Sequence, residues 1–186
     1  GCAYNILCPD KDTLDKQQTV KQLNAWLKED FGAFNLEIHY SKIQKRLITC
    51  EAFLGEKITD YKFYCFNGEP KFFYISNDLI HDREAVIGFF YLDGTKMPLV
   101  REDYKDIPFV SLPSFFGEMV TVAKALCQDF PFVRVDFFLA NKRYYFAELT
   151  FIPAAGLMPF NPKEQDLEWG KMLSIDFEMN EAKRVR

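Results

Sequence analysis

Residues 130–156 read FPFVRVDFFLANKRYYFAELTFIPAAG, and this stretch decides the fold. Two aromatic and β-branched runs, 130–140 and 143–151, flank Asn141-Lys142, the pattern of strand, turn and strand. Side chains alternate between the faces of a strand, so Val133, Val135 and Phe137 share one face while Arg134 and Asp136 share the other. Glu148 and Thr150 likewise share a face, opposite Ala147, Leu149 and Phe151. Which of these meet depends on the turn. If Ala140 pairs with Tyr144 around a three-residue loop, Asp136 stands opposite Glu148 and Arg134 opposite Thr150. A two-residue loop pairs Asp136 with Ala147 and breaks that arrangement. In the first register two carboxylates face each other within ~5 Å at their Cβ atoms, a repulsion that a cation between them relieves. Magnesium suits the place, because it takes one or two carboxylates together with phosphate oxygens, and Arg134 beside it can offset charge building on a transferring phosphoryl group. The competing reading is a structural salt bridge from Asp136 to Arg134 or another base, since alternating charges are common on exposed sheet faces.

Downstream, Glu148-Leu-Thr-Phe-Ile-Pro-Ala-Ala-Gly156 ends its strand on an acid and runs into a Pro/Gly loop whose backbone can approach a ligand closely. Upstream, residues 45–54 (KRLITCEAFL) and 60–67 (DYKFYCFN) read as strands, and Asn67-Gly68-Glu69-Pro70 is a turn before KFFYISND. The run VIGFFYL is a further strand ending at Asp93-Gly94-Thr95, and the Pro-rich segment from about 98 to 113 is a connection. Three helices are predicted. One covers Thr13 to Phe31 with Gly32 as its stop, one opens near Ser111 with Phe115, Met119, Val122, Ala123 and Leu126 on its core stripe, and one spans about 164 to 174. The sum is an α+β protein with antiparallel sheets and flanking helices.

Composition narrows the function. The 186 residues are 48% apolar and 17% aromatic, enough to bury a sizeable core. A formal net charge of −4 without a Lys/Arg run excludes a sequence-independent grip on nucleic acid, so any phosphate is held locally. The five cysteines show no metal-ligand spacing and read as reduced thiols of a cytoplasmic protein. Every apolar run is shorter than the ~20 residues of a membrane span. His39 and His81 sit in no motif and read as structural or surface residues. The opening at Gly1, without Met and directly on a loop-like segment, reads as a fragment.

These residues reach a family resemblance. Arg134-x-Asp136, followed twelve residues later by Glu148-x-Thr150-x-x-Pro153-x-x-Gly156, resembles the metal- and phosphate-binding end of ATP-grasp enzymes, with Thr150 where Asn is usual. Asp60-Tyr-Lys62-x-x-x-Phe66-x-Gly68 resembles the run that marks the TupA-like branch. Cys50-Glu51-Ala-Phe-Leu54 resembles the hinge that holds adenine, and Gly1-Cys2-Ala3-Tyr-Asn5-Ile resembles the phosphate loop, with Cys2 and Ala3 in place of Ser and Gly. The resemblance implies the larger, C-terminal part of an ATP-grasp fold, with residues 1–54 belonging to the small subdomain and 55–186 to the subdomain of the metal site. It implies a carboxylate–amine ligase using ATP and Mg²⁺ through an acylphosphate. Asp136, Glu148 and Thr150 would hold the metal and Arg134 would act on the phosphoryl group. Gly1, Cys2, Asn5, Glu51, Leu54, Asp60 and Lys62 would bind the nucleotide, Asp60 at the ribose. The usual phosphate-binding Lys is absent, and Lys62, Lys71 or Arg83 are candidates to supply basic contacts. Members of the branch are associated with bacterial surface polysaccharide and teichuronopeptide synthesis, and some are labelled glycosyltransferases. A fragment that binds nucleotide without turnover is the alternative. A true glycosyltransferase would call for an Asp-x-Asp metal motif.

Overall fold

In the computed structural model, residues 4–34, 36–55, 57–77 and 85–174 are described. The hairpin predicted from residues 130–151 is present as β6 (Phe132–Ala140) and β7 (Arg143–Thr150). It completes a six-stranded sheet with β1 (Thr59–Phe66), β2 (Glu69–Asn77), β3 (Val86–Tyr91) and β5 (Lys105–Asp106), in the order β5-β3-β2-β1-β6-β7. All neighbours are antiparallel except β3 and β5. A separate ribbon pairs β4 (Val100–Arg101) with β8 (Phe160–Asn161). Asn67 and Gly68 both have positive φ, 50° and 78°, the backbone that a two-residue hairpin needs to match strand twist.

The sheet buries both faces. On one, Tyr61, Phe63, Cys65, Phe73, Val133, Val135 and Phe137 pack under α3 (Phe116–Cys127). That helix buries Phe116, Met119, Ala123 and Cys127, while Phe115, Val122 and Leu126 flank the cluster as partly buried contacts. On the other face Tyr64, Phe66, Phe72, Tyr74 and Phe89 pack against the β4–β8 ribbon and Trp169 of α4 (Glu164–Met172). Asn67 ties that helix to the β1–β2 turn, donating from Nδ2 to Met172 O at 2.6 Å and accepting from Ser174 N.

Two expectations change. The first helix is shorter than predicted: α1 covers Lys16–Trp26, capped by Asp15, whose carboxylate accepts from Gln18 N at 2.9 Å. A separate turn, α2 (Phe31–Phe34), follows, and Asp30 accepts from Ala33 N at its start. Gly32 is no stop; it allows close approach, since a Cβ there would lie 2.5 Å from Ser41 Oγ. Residues 45–54 form no strand, because extended backbone persists only where another strand takes its N–H and C=O groups, and none does so among the described residues. The β6–β7 loop has the two residues of the predicted turn, Asn141 and Lys142, with Ala140 paired to Arg143.

The register nevertheless ends as the three-residue loop would have set it. Phe137 pairs with Phe146, but Asp136 pairs with Glu148 and Arg134 with Thr150, so Ala147 is an extra residue, a β-bulge. The bulge moves Glu148 and Thr150 onto the face of Asp136 and Arg134.

Truncating Phe63, which is fully buried and in ring contact with Phe73, Phe116 and Phe137, opens a cavity at the centre of the first cluster. Phe63→Ala is expected to lower unfolding free energy by about 3–5 kcal/mol in urea titration.

Candidate functional site

Three neighbouring strands place their charged side chains on one face. Lys62 of β1 pairs with Asp136 of β6, which pairs with Glu148 of β7. The period-two alternation that puts Phe63 and Val135 under α3 puts Asp60, Lys62, Arg134 and Asp136 on the opposite side. They border the second aromatic cluster on that face, since Lys62 pairs with Tyr74 and Arg134 with Tyr64.

Asp136 is the centre. Its carboxylate has no solvent exposure, yet each oxygen is paired. Oδ1 accepts from Arg134 Nε at 2.7 Å, and Oδ2 accepts from Arg134 Nη2 at 2.7 Å and from Lys62 Nζ at 2.8 Å. Arg134 Nη2 reaches further, to Glu148 Oε1 at 3.3 Å and Thr150 Oγ1 at 3.1 Å, and the Thr150 hydroxyl donates to Glu148 Oε1 at 3.0 Å. Lys62 Nζ also stands 3.1 Å from Asp60 Oδ1, and Ser76 Oγ donates to Asp60 Oδ2 at 3.4 Å. The ring of Tyr74 lies 5.9 Å from the guanidinium carbon of Arg134.

Proton affinities follow from this packing. Burial opposes the charged form of Asp136, but the charges of Lys62 and Arg134 outweigh it and hold the carboxyl below its ordinary 3.8. Burial alone would lower the Lys62 ammonium, yet Asp136, Tyr74 and Asp60 raise it, so it is charged at every working pH. For Asp60, burial wins over Lys62 and the carboxyl is pushed up. Tyr40, from the 3-10 turn Ile38–Lys42, also senses this cluster: burial raises its phenol first, and the charges of Glu37 and Glu148 add to it.

Of the residues singled out in the sequence, Asp60, Lys62, Arg134, Asp136, Glu148 and Thr150 therefore converge. The salt bridge between Asp136 and Arg134, the competing reading, is present as part of the same constellation. Glu51 lies on exposed coil rather than at a strand end, and Leu54 is tethered through its carbonyl, which accepts from Asn141 Nδ2 at 3.1 Å. Asn5 is on exposed coil; Gly1, Cys2, Arg83 and His81 lie outside the described residues. Lys71 is exposed at the end of the β1–β2 hairpin, near Glu69 and away from the cluster. His39 packs its ring on Tyr40, as a structural residue would. The chain has one Asp-x-Asp run, Asp10-Lys11-Asp12, and it forms an exposed turn in which Asp10 Oδ1 accepts from Asp12 N. Sequence reasoning missed Tyr74 and Ser76. The period-two spacing of KFFYIS carried the signal, but only the β1–β2 register, Lys62 to Tyr74 and Asp60 to Ser76, connects them to the site.

The donor chemistry fits magnesium: carboxylate and hydroxyl oxygens on one face of adjacent strands are the hard ligands that it takes. The arrangement is closed by internal cations, and among the described residues no group of three or more His, Cys, Asp or Glu is set to hold a metal. Beyond Thr150 the chain turns left-handed at Ala154, Ala155 and Gly156, with φ of 47°, 55° and 75°. That loop and Tyr64, Phe132, Met158 and Trp169 line an apolar cavity of about 250 Å³, which does not include the charged cluster. The cysteines at 8, 50, 65 and 127 are free thiols, and among the described residues no helix is long and apolar enough to cross a membrane.

A model of the family described as TupA-like ATPgrasp matches residues 1–174. No curated protein and no solved structure matches the chain.

Asp136→Asn would remove a charge that compensates two buried cations, and is expected to cost about 3–5 kcal/mol in denaturant unfolding. Because the folded-state pKa of Asp136 lies below the unfolded value, its contribution is complete above about pH 4 and is lost as pH falls through the folded value. Acid titration of stability below pH 4 should accordingly be shallower in Asp136→Asn than in the parent.

Proposed function

The chain belongs to the TupA-like ATPgrasp family, whose membership points to ATP-dependent, ligase-like chemistry, and from that premise we propose that it is a carboxylate–amine ligase that forms ADP. The observation that supports this most is the pairing of Asp136 with Glu148 across a bulged hairpin, with Arg134 reaching both. We take residues 1–54 as part of the smaller nucleotide-binding lobe and 55–186 as the subdomain that carries the chemistry.

In this reading a carboxylate oxygen attacks the γ-phosphorus of ATP, and the bond to the bridging oxygen breaks to release ADP. The amine nitrogen then attacks the acyl carbon, phosphate leaves, and the nitrogen loses a proton to give the amide. Magnesium, when bound, would neutralise phosphate charge and hold the phosphates in line. Asp136, Glu148 and the Thr150 hydroxyl are the residues proposed to hold it. Arg134 offers a fixed guanidinium to the three equatorial oxygens of the phosphoryl group, a position kept by its bonds to Asp136 and Thr150. Lys62 supplies a second charge for phosphate. Glu51 and the Leu54 backbone are proposed at the adenine and Asp60 at the ribose, while Gly1, Cys2 and Asn5 cover the phosphates. For substrates we propose a saccharide or amino-acid carboxylate and an amine in bacterial surface polysaccharide or teichuronopeptide synthesis, a setting that rests on the motif resemblance of residues 60–68.

Calorimetry with a non-hydrolysable ATP analogue tests the site. Binding is expected with Mg²⁺ and to weaken by about 10–100-fold in Asp136→Asn/Glu148→Gln. Binding that is indifferent to Mg²⁺ and to the double substitution would reduce the cluster to a structural ion-pair lock.

A further inference from the structure

Resting on the metal reading above, we propose that Lys62 is the resident cation of the site: its ammonium occupies Asp136 until a divalent ion on Asp136, Glu148 and Thr150 takes its place there. The released ammonium then meets nucleotide phosphate, so metal and nucleotide enter together.

The geometry separates the two cations by how they are held. Arg134 is fixed as a fork, bonding both oxygens of Asp136 and also Glu148 and Thr150. Lys62 is a point charge on a flexible stem, 2.8 Å from Asp136 and 3.1 Å from Asp60, and its contact with Asp136 is of the kind a metal ion also makes. Of the two, Lys62 is the group that can leave without dismantling the hairpin.

Charge gives the reason for exchange. Lys62 and Arg134 sit among the carboxylates of Asp60, Asp136 and Glu148. A divalent ion added to the resting cluster must share Asp136 Oδ2 with an ammonium already 2.8 Å away, so like charges repel at close range in a buried setting. With Lys62 displaced the same ion meets free carboxylate at Asp136, but an ammonium that has lost its closest partner needs a new anion. Nucleotide phosphate is such an anion. Metal and nucleotide are therefore coupled through Lys62, each raising the affinity of the other.

The test is Mn²⁺ binding to the whole chain without nucleotide, read from the electron paramagnetic resonance of free Mn²⁺, on the parent, Lys62→Gln and Lys62→Met. Lys62→Gln retains a hydrogen-bond donor for Asp136, and circular dichroism checks that each variant is folded. The parent is expected to bind Mn²⁺ weakly and both variants at least about tenfold more tightly, with the gain abolished by adding Asp136→Asn. A folded Lys62→Gln with parental Mn²⁺ affinity overturns the exchange. If the parent then still binds a Mn²⁺–ATP analogue complex, the nucleotide site stands without it; if the parent binds none, the metal reading falls as well. Should neither variant fold in chelator, refolding with Mn²⁺ that restores the parental spectrum supports the proposal, and failure to do so overturns it.

Discussion

A carboxylate with no solvent exposure needs compensating charge, and in this protein that need at Asp136 organises three strands. Its partners come from its own strand, Arg134, and from the neighbour on one side, Lys62; through Arg134 the pairing extends to Glu148 and Thr150 on the other. Removing Asp136 would strand the charges of Lys62 and Arg134 in a buried place. The aromatic clusters supply the driving force for the sheet, but the ion network sets which residues of β1, β6 and β7 stand side by side.

That network shares its sheet face with Tyr64, Phe66, Phe72 and Trp169, so one surface is apolar at one end and ionic at the other. The opposite face, under α3, is apolar throughout its buried cluster. A rigid double-sided scaffold of this kind can keep charged side chains in place before any ligand arrives, which is the physical content of preorganised electrostatic stabilisation. The ion pairs have a second consequence: ligands that carry charge must replace contacts already made, and so bind by exchange.

Much of the architecture was legible along the chain. The hairpin turns at Asn67-Gly68 and Asn141-Lys142, the buried stripe around Met119 and Ala123, and the shared face of Arg134 and Asp136 all follow from local periodicity and turn chemistry. The segment 45–54 misled because its β-prone composition says nothing about whether another strand is there to pair with it. The pairing of Lys62 with Asp136, and of Ser76 with Asp60, likewise joins residues far apart in sequence.

The sequence by itself determined the α+β class, which strand residues share a face, and the family motifs, because each is written in spacings of a few residues. Only the tertiary structure decided the register between strands. Counting from a two-residue turn opposes Asp136 to Ala147; the bulge at Ala147 restores Glu148. The physical reason is that a bulge is stabilised by partners on both sides, here an ion network against Arg134 and Asp136 and the packing of Leu149 on the α3-side cluster, and neither exists until the sheet has formed.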